Sequence, residues 1–230
     1  MKAVYAVRQR RWDAAASWLG LLALVLWEGS GLDLALTRTY GSQGGFAWRD
    51  AWLTRTLLHD GGRALAGAVL ALWLAWALWP GRSTTQTQRL RWIGVALLCL
   101  LLVPTLKQFA ASSCPWDLLE FGGRVANYVP HWKLGVHDGG PGHCFPSGHA
   151  VAAFAFFAIY FDRRECCPRT ARWWLLGVSI AGVLFGWAQL ARGAHFASHT
   201  LWSAWLCWVV CAAAAPLLAP RPAPRHTVSA

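Results

Sequence analysis

Six stretches of this sequence, roughly 14–36, 64–79, 92–112, 147–161, 173–191 and 196–218, run for 15 residues or more with scarcely a charge. A helix needs roughly 20 mostly apolar residues to cross the hydrocarbon of a bilayer, and in lipid only a helix or a closed barrel satisfies its own backbone. Six such stretches in 230 residues leave little chain beyond short connections. Composition agrees: 56% of the residues are hydrophobic and 13% charged, too few polar groups to cover a water-soluble domain of this size. The expectation is an all-α integral membrane six-helix bundle, a single domain over 1–230. The first stretch is the weakest, because Glu28 and Asp33 fall inside it, and it is expected to leave the hydrocarbon near Glu28. The basic start MKAVYAVRQRR is followed by no small-residue cleavage site before Glu28, so it reads as an uncleaved first span.

A net charge of +11 suggests nucleic acid in a soluble protein, but nothing here resembles a nucleic-acid module, and charge in a membrane chain sorts by topology. With six spans and the N-terminus inside, segments 1–13, 80–91, 162–172 and 219–230 are cytoplasmic and hold 13 of the 21 Lys and Arg residues. The positive-inside rule therefore puts both termini in the cytoplasm. Segments 37–63 and 113–146, with a tight connection near Gly193, then face outward. The first of these contains FAWRDAWLTRTLLHD, which reads equally as a helix lying along the interface or as a surface loop. The tail APRPAPRHTVSA reads as disordered.

Three strings at the outward ends carry chemistry. In GHCFPSGHA (142–150), Pro146 fits a helix start, so Ser147 and Gly148 are expected to turn backbone N–H groups and a hydroxyl toward an anion. His149 on the same turn is suited to give a proton to a leaving oxygen. In ARGAHFASHTLW (191–202), Arg192, His195 and His199 are spaced i, i+3, i+7 and would share a face of a continuous helix, unless Gly193 breaks it. Ionisable groups at membrane depth usually face a polar cavity. In LKQFAASSCPWD (106–117), Lys107 ends a long uncharged run and either snorkels to the interface or points inward at an anion.

Together the strings resemble the type 2 phosphatidic acid phosphatase (PAP2) superfamily. Its signatures are Lys, six residues, Arg-Pro; then Pro-Ser-Gly-His; then Ser-Arg, five residues, His, three residues, Asp. Here they run from Lys107 to Cys114-Pro115, over 146–149, and from Ala188-Gln189 to His195 and His199. The resemblance implies a six-helix membrane enzyme with an outward site. His195 would attack phosphorus to form a phosphohistidine, and His149 would protonate the leaving group. Lys107, Ser147 and Gly148 would bind the phosphate. It implies a membrane lipid phosphate or pyrophosphate as substrate, hydrolysis or transfer to a second lipid, no cofactor and no metal. It also implies a bacterial inner-membrane setting with a periplasmic site.

Three signature positions depart: Cys114 and Gln189 stand where the family has Arg, and His199 where it has Asp. Arg192, one turn beyond Gln189, is a candidate replacement cation, and Arg124 a second. His199 would orient His195 through a ring nitrogen, with Asp117 or Asp138 as alternative carboxylates. Cys114 and Cys144 lie beside two strings that must converge, which makes a disulfide between them a candidate. Six possible metal ligands (His137, His143, Cys144, His149, His195, His199) fall on one side, but none shows a short Cys-x-x-Cys spacing. A non-catalytic binding protein derived from the family remains the competing class.

Overall fold

The computed structural model describes residues 2–79, 83–133 and 135–219. The tail expected to be disordered lies, from 220 on, outside the described residues, as do Arg82, Arg221 and Arg225 of the cytoplasmic count. The described chain is helical apart from loops and one small hairpin, β1 (Gly41–Ser42) against β2 (Gly45–Phe46).

Four helices are long and apolar enough to cross a membrane: Trp52–Leu78, Gln86–Gln108, Pro168–Ala191 and Ala197–Leu218. A fifth candidate is a bent pair, α1 (Lys2–Ser30) and α2 (Leu32–Arg38), which turn by 66°. The protein is an all-α integral membrane protein. The bend falls at Gly31, whose φ of 71° a residue without a Cβ adopts at little cost. Glu28 and Asp33 flank it. Glu28 accepts the Trp202 indole N–H (2.9 Å), and Asp33 accepts the Ser198 N–H (2.9 Å), the Ser198 hydroxyl and the Trp27 indole N–H (2.9 Å). The two acids that weaken the first stretch as a span thus fasten its bent end to the start of α8 (Ala197–Leu218).

The stretch 147–161 differs from the expectation. It forms α5 (Val151–Phe154) and α6 (Phe157–Arg163), joined by a tighter turn in which the Phe156 N–H donates to Ala153 O. Together they reach roughly 20 Å at 1.5 Å per residue, short of a hydrocarbon core of about 30 Å. Val151, Phe154, Ala155, Phe157, Ala158 and Ile159 are all buried, packed against α4 (Ser83–Gln108), α7 (Pro168–Ala191) and α8. An element that is apolar on every side belongs in a core. By length and composition the described residues offer four candidate spans, or five with the bent pair, and the short buried α5–α6 pair runs between them from His149 to Arg164, which pairs with Asp13 in the N-terminal half of α1.

Segment 37–63, read as an interfacial helix or a surface loop, divides in two: 39–51 form a loop with the hairpin, and Trp52–Gly61 is a π-helix that runs directly into α3 (Gly62–Leu78). α7 and α8 approach closely near their connection: a Cβ on Gly186 would lie 2.3 Å from Thr200. The connection turns at Gly193 (φ 72°), and the Phe46 ring of the hairpin fills the space where a side chain there would go. Phe46, Leu118, Phe121, Val125 and Phe196 form a small apolar cluster over this turn.

Candidate active site

Lys107 stands in the last turn of α4. The loop beyond it is laced to the second string. The His143 N–H donates to Ala110 O (2.7 Å) and the Cys144 N–H to Ser112 O (3.1 Å). Cys114 and Cys144 are disulfide-bonded, with Cα atoms 5.1 Å apart. Asp138 accepts the Ser113 N–H (2.6 Å) and hydroxyl (2.9 Å). The third string is tied in by the Trp116 N–H to Gly193 O (2.9 Å) and the Ser147 N–H to His199 O (3.2 Å). Bonds made mostly by backbone hold all three strings at one end of the bundle, so the side chains between them are positioned by rigid neighbours.

These side chains surround one cavity of about 500 Å³. Lys107, Gly148, His149, Arg192 and His195 line it, together with Cys114 and Gln189, the two positions where the family signature has Arg. Arg63 adds a third cation, and among the described residues no carboxylate lines the cavity. The Arg192 Nε–H donates to Arg49 O (2.9 Å), which steadies the guanidinium. Gln189 is buried with its Nε2 unpartnered, and the buried His149 Nδ1 is likewise unpartnered. An unsatisfied buried polar group costs about 1–3 kcal/mol, so Gln189 keeps an amide donor in want of an acceptor.

His195 lies in the short connection between α7 and α8, and its Nδ1 is 3.3 Å from Nδ1 of His199, within hydrogen-bonding distance. Burial, and then the nearby Lys107 charge, hold His195 well below the ordinary histidine pKa. It is therefore neutral, with a lone pair available on Nε2 when Nδ1–H donates to His199. The His149 Nε2–H donates to Leu58 O (3.1 Å), which leaves Nδ1 as the nitrogen able to carry a transferable proton.

Some expected members are not in the cavity. Ser147 is fully buried beside it, its N–H spent on His199 O and its hydroxyl accepting the Ala150 N–H (3.4 Å). Gly148 takes the wall position instead, with open space where a Cβ would be. Arg124 is exposed on the loop and lines no part of the cavity. Asp138 is occupied with Ser113, and Asp117 accepts the Cys114 N–H (3.0 Å). Burial raises the pKa of Asp117, but neither carboxylate reaches His195. Arg192 and His199 do not share a helix face: Gly193 ends the first helix, and it is the turn that brings His195 between them. Cys144, His195 and His199 have potential ligand atoms within 4.8 Å of one another, but the Cys144 sulfur is bonded to Cys114 and offers no thiolate.

Two cavity residues were not anticipated from the sequence, His59 on the π-helix and Arg63 at the start of α3. Their signal was present. Arg63, Ala66, Gly67 and Leu70 follow i, i+3, i+4, i+7 spacing, with His59 one turn earlier, and all five line the cavity.

A membrane-embedded helical bundle with a cation-lined cavity that two buried imidazoles and open backbone at a glycine border defines a class: a membrane protein whose site is suited to an oxyanion. The sequence model of the PAP2 superfamily matches residues 89–222, more than half of the chain, and the chain belongs to that family. Membership supports phosphatase activity on a phosphate-containing substrate. No curated protein and no solved structure matches the chain.

Proposed function

We propose that the protein is a lipid phosphate or pyrophosphate phosphatase that works through a phosphohistidine at the outer face of a bacterial inner membrane. The carrying observation is the shape of the cavity. Its polar end gathers Lys107, Arg63, Arg192, His149 and His195, while Ala66, Gly67 and Leu70 of α3 and Leu100 and Pro104 of α4 extend it down between two spans. A phosphate head group fits the first part, and the upper end of a hydrocarbon chain fits the second, without the lipid leaving the bilayer.

In this reading Lys107, Arg63 and Arg192 bind the phosphoryl oxygens, and the space over Gly148 lets them approach the backbone. Arg63 and Arg192 supply the charge that Cys114 and Gln189 lack. His195 Nε2 attacks phosphorus, while its Nδ1–H donates to His199, which orients the ring. Burial pushes the His149 pKa down to about 4, so the bound phosphate's negative charge must first draw a second proton onto the ring, and the Nδ1–H of that imidazolium then protonates the departing lipid oxygen. Water then attacks the phosphorus, the P–N bond breaks and phosphate leaves. The basic segments counted above support a cytoplasmic location for both termini and an outward site.

The test is a panel of lipid phosphates and pyrophosphates presented to the purified protein in mixed micelles, with phosphate release measured for wild type and His195→Ala. Release from at least one lipid, reduced about 1,000-fold or more in the variant, is expected when a nucleophile is removed. Equal release by the two proteins would refute the catalytic assignment. Appearance of the phosphoryl group on an added lipid alcohol would favour a phosphotransferase using the same residues.

A further inference from the structure

A third imidazole borders the cavity and has no part in the steps above. His59 lines it beside His149, and the two rings stack with centroids 4.6 Å apart and planes 24° from parallel. Both rings are held by the same π-helix, Trp52–Gly61. The His59 Nδ1–H donates to Asp60 Oδ1 (2.8 Å), and the carbonyl of the preceding residue, Leu58, accepts the His149 Nε2–H (3.1 Å). The two imidazoles therefore differ in kind. His149 is buried and tied to a neutral carbonyl, whereas the His59 side chain is 27% exposed and tied to a carboxylate.

A carboxylate that fixes Nδ1–H leaves Nε2 of a histidine as a proton acceptor, and partial exposure lets water reach it.

We infer that His59, oriented by Asp60, is the general base for the water that hydrolyses the phosphohistidine, while His149 serves as the acid for lipid departure. This rests on the phosphatase reading above. In the first half, the His195 Nε2–P bond forms, the P–O bond to the lipid breaks, and the lipid oxygen takes the proton from His149. In the second, water oxygen bonds to phosphorus, the P–N bond breaks, and the water proton goes to His59 Nε2. Transfer of that proton through cavity water to His149 restores the starting state. The net reaction consumes one water and yields a lipid alcohol and phosphate.

Rapid-quench kinetics on a radiolabelled lipid phosphate separate the halves, because lipid alcohol reports the first and free phosphate the second. For His59→Gln, the initial burst of lipid alcohol is expected at the wild-type rate. Steady phosphate release falls about 100-fold and acid-labile phosphoprotein accumulates. Asp60→Asn changes the same step in the same direction by a smaller factor. His59→Phe keeps an aromatic ring over His149 and removes the base, so it should match His59→Gln. Restored turnover in His59→Phe would reduce the role of His59 to packing and overturn the inference. A burst slowed as much as steady turnover, or unchanged phosphoprotein in His59→Gln, would also overturn it. Wild-type protein that releases phosphate without any phosphoprotein would instead refute the phosphohistidine reading itself.

Discussion

Replacing His199 with Asp tests how the nucleophile is held. His199 is buried and its ring centroid lies 5.6 Å from that of His195. In the account above it accepts the His195 Nδ1–H as a neutral imidazole. A carboxylate in its place adds a full negative charge near the imidazolium that forms as His195 attacks. At 5.6 Å and an effective dielectric constant near 20, that charge is worth about 3 kcal/mol. Desolvating the new carboxylate takes back part of this, so a net gain of about 1–2 kcal/mol is expected, roughly a tenfold rise in kcat. The pH dependence has a definite sign. His195 must be neutral to attack, and its pKa is held down by burial and by Lys107. A nearby anion raises it, so the protonated, inactive form persists to higher pH and the acid limb of the profile moves up. The assay is phosphate release from a lipid phosphate in mixed micelles across the acid range, with His199→Asn as the uncharged control. If His199→Asp lost activity with its acid limb unmoved while His199→Asn kept full activity, residue 199 would have no part in orienting His195.

Two further substitutions probe the surroundings of the site. A side chain added at Gly67 would meet nothing within 4 Å of its Cβ and would project into the cleft between α3 and α4. Gly67→Leu should therefore raise KM about tenfold or more for a long-chain lipid phosphate and leave a short water-soluble phosphate ester nearly unaffected, and equal losses on both would contradict a lipid cleft. Gly193→Ala forces a Cβ onto a residue with φ of 72° and to within 2.3 Å of the Phe46 ring, so a loss of about 2–4 kcal/mol in stability is expected, measured as a lower unfolding temperature in detergent.

What could be read from the sequence followed how local the physics is. Lys107, His149 and His195 carry reactive groups at membrane depth, where a bare charge or imidazole is expensive, and all three reach the cavity. The nature of 147–161 was not legible, because an all-round apolar stretch looks alike whether lipid or protein surrounds it. Its burial depends on α4, α7 and α8 closing around it. Ser147 was expected to face an anion from helix-start geometry, yet the chain enters α5 through a turn that spends its N–H on His199, a partner remote in sequence. His59 and Arg63 were hidden by the reverse problem. A mixed polar and apolar segment is ambiguous between interface and cavity until the helix that follows it is seen to be continuous with it.

The central claim is that His195 becomes covalently phosphorylated inside this cavity. Brief mixing of purified protein with a lipid carrying labelled phosphate, followed by alkaline quench and peptide mapping, tests it most directly. The account predicts alkali-stable, acid-labile label on the peptide containing His195, absent in His195→Ala. Steady phosphate release with label on no residue, or on a residue other than His195, would contradict it.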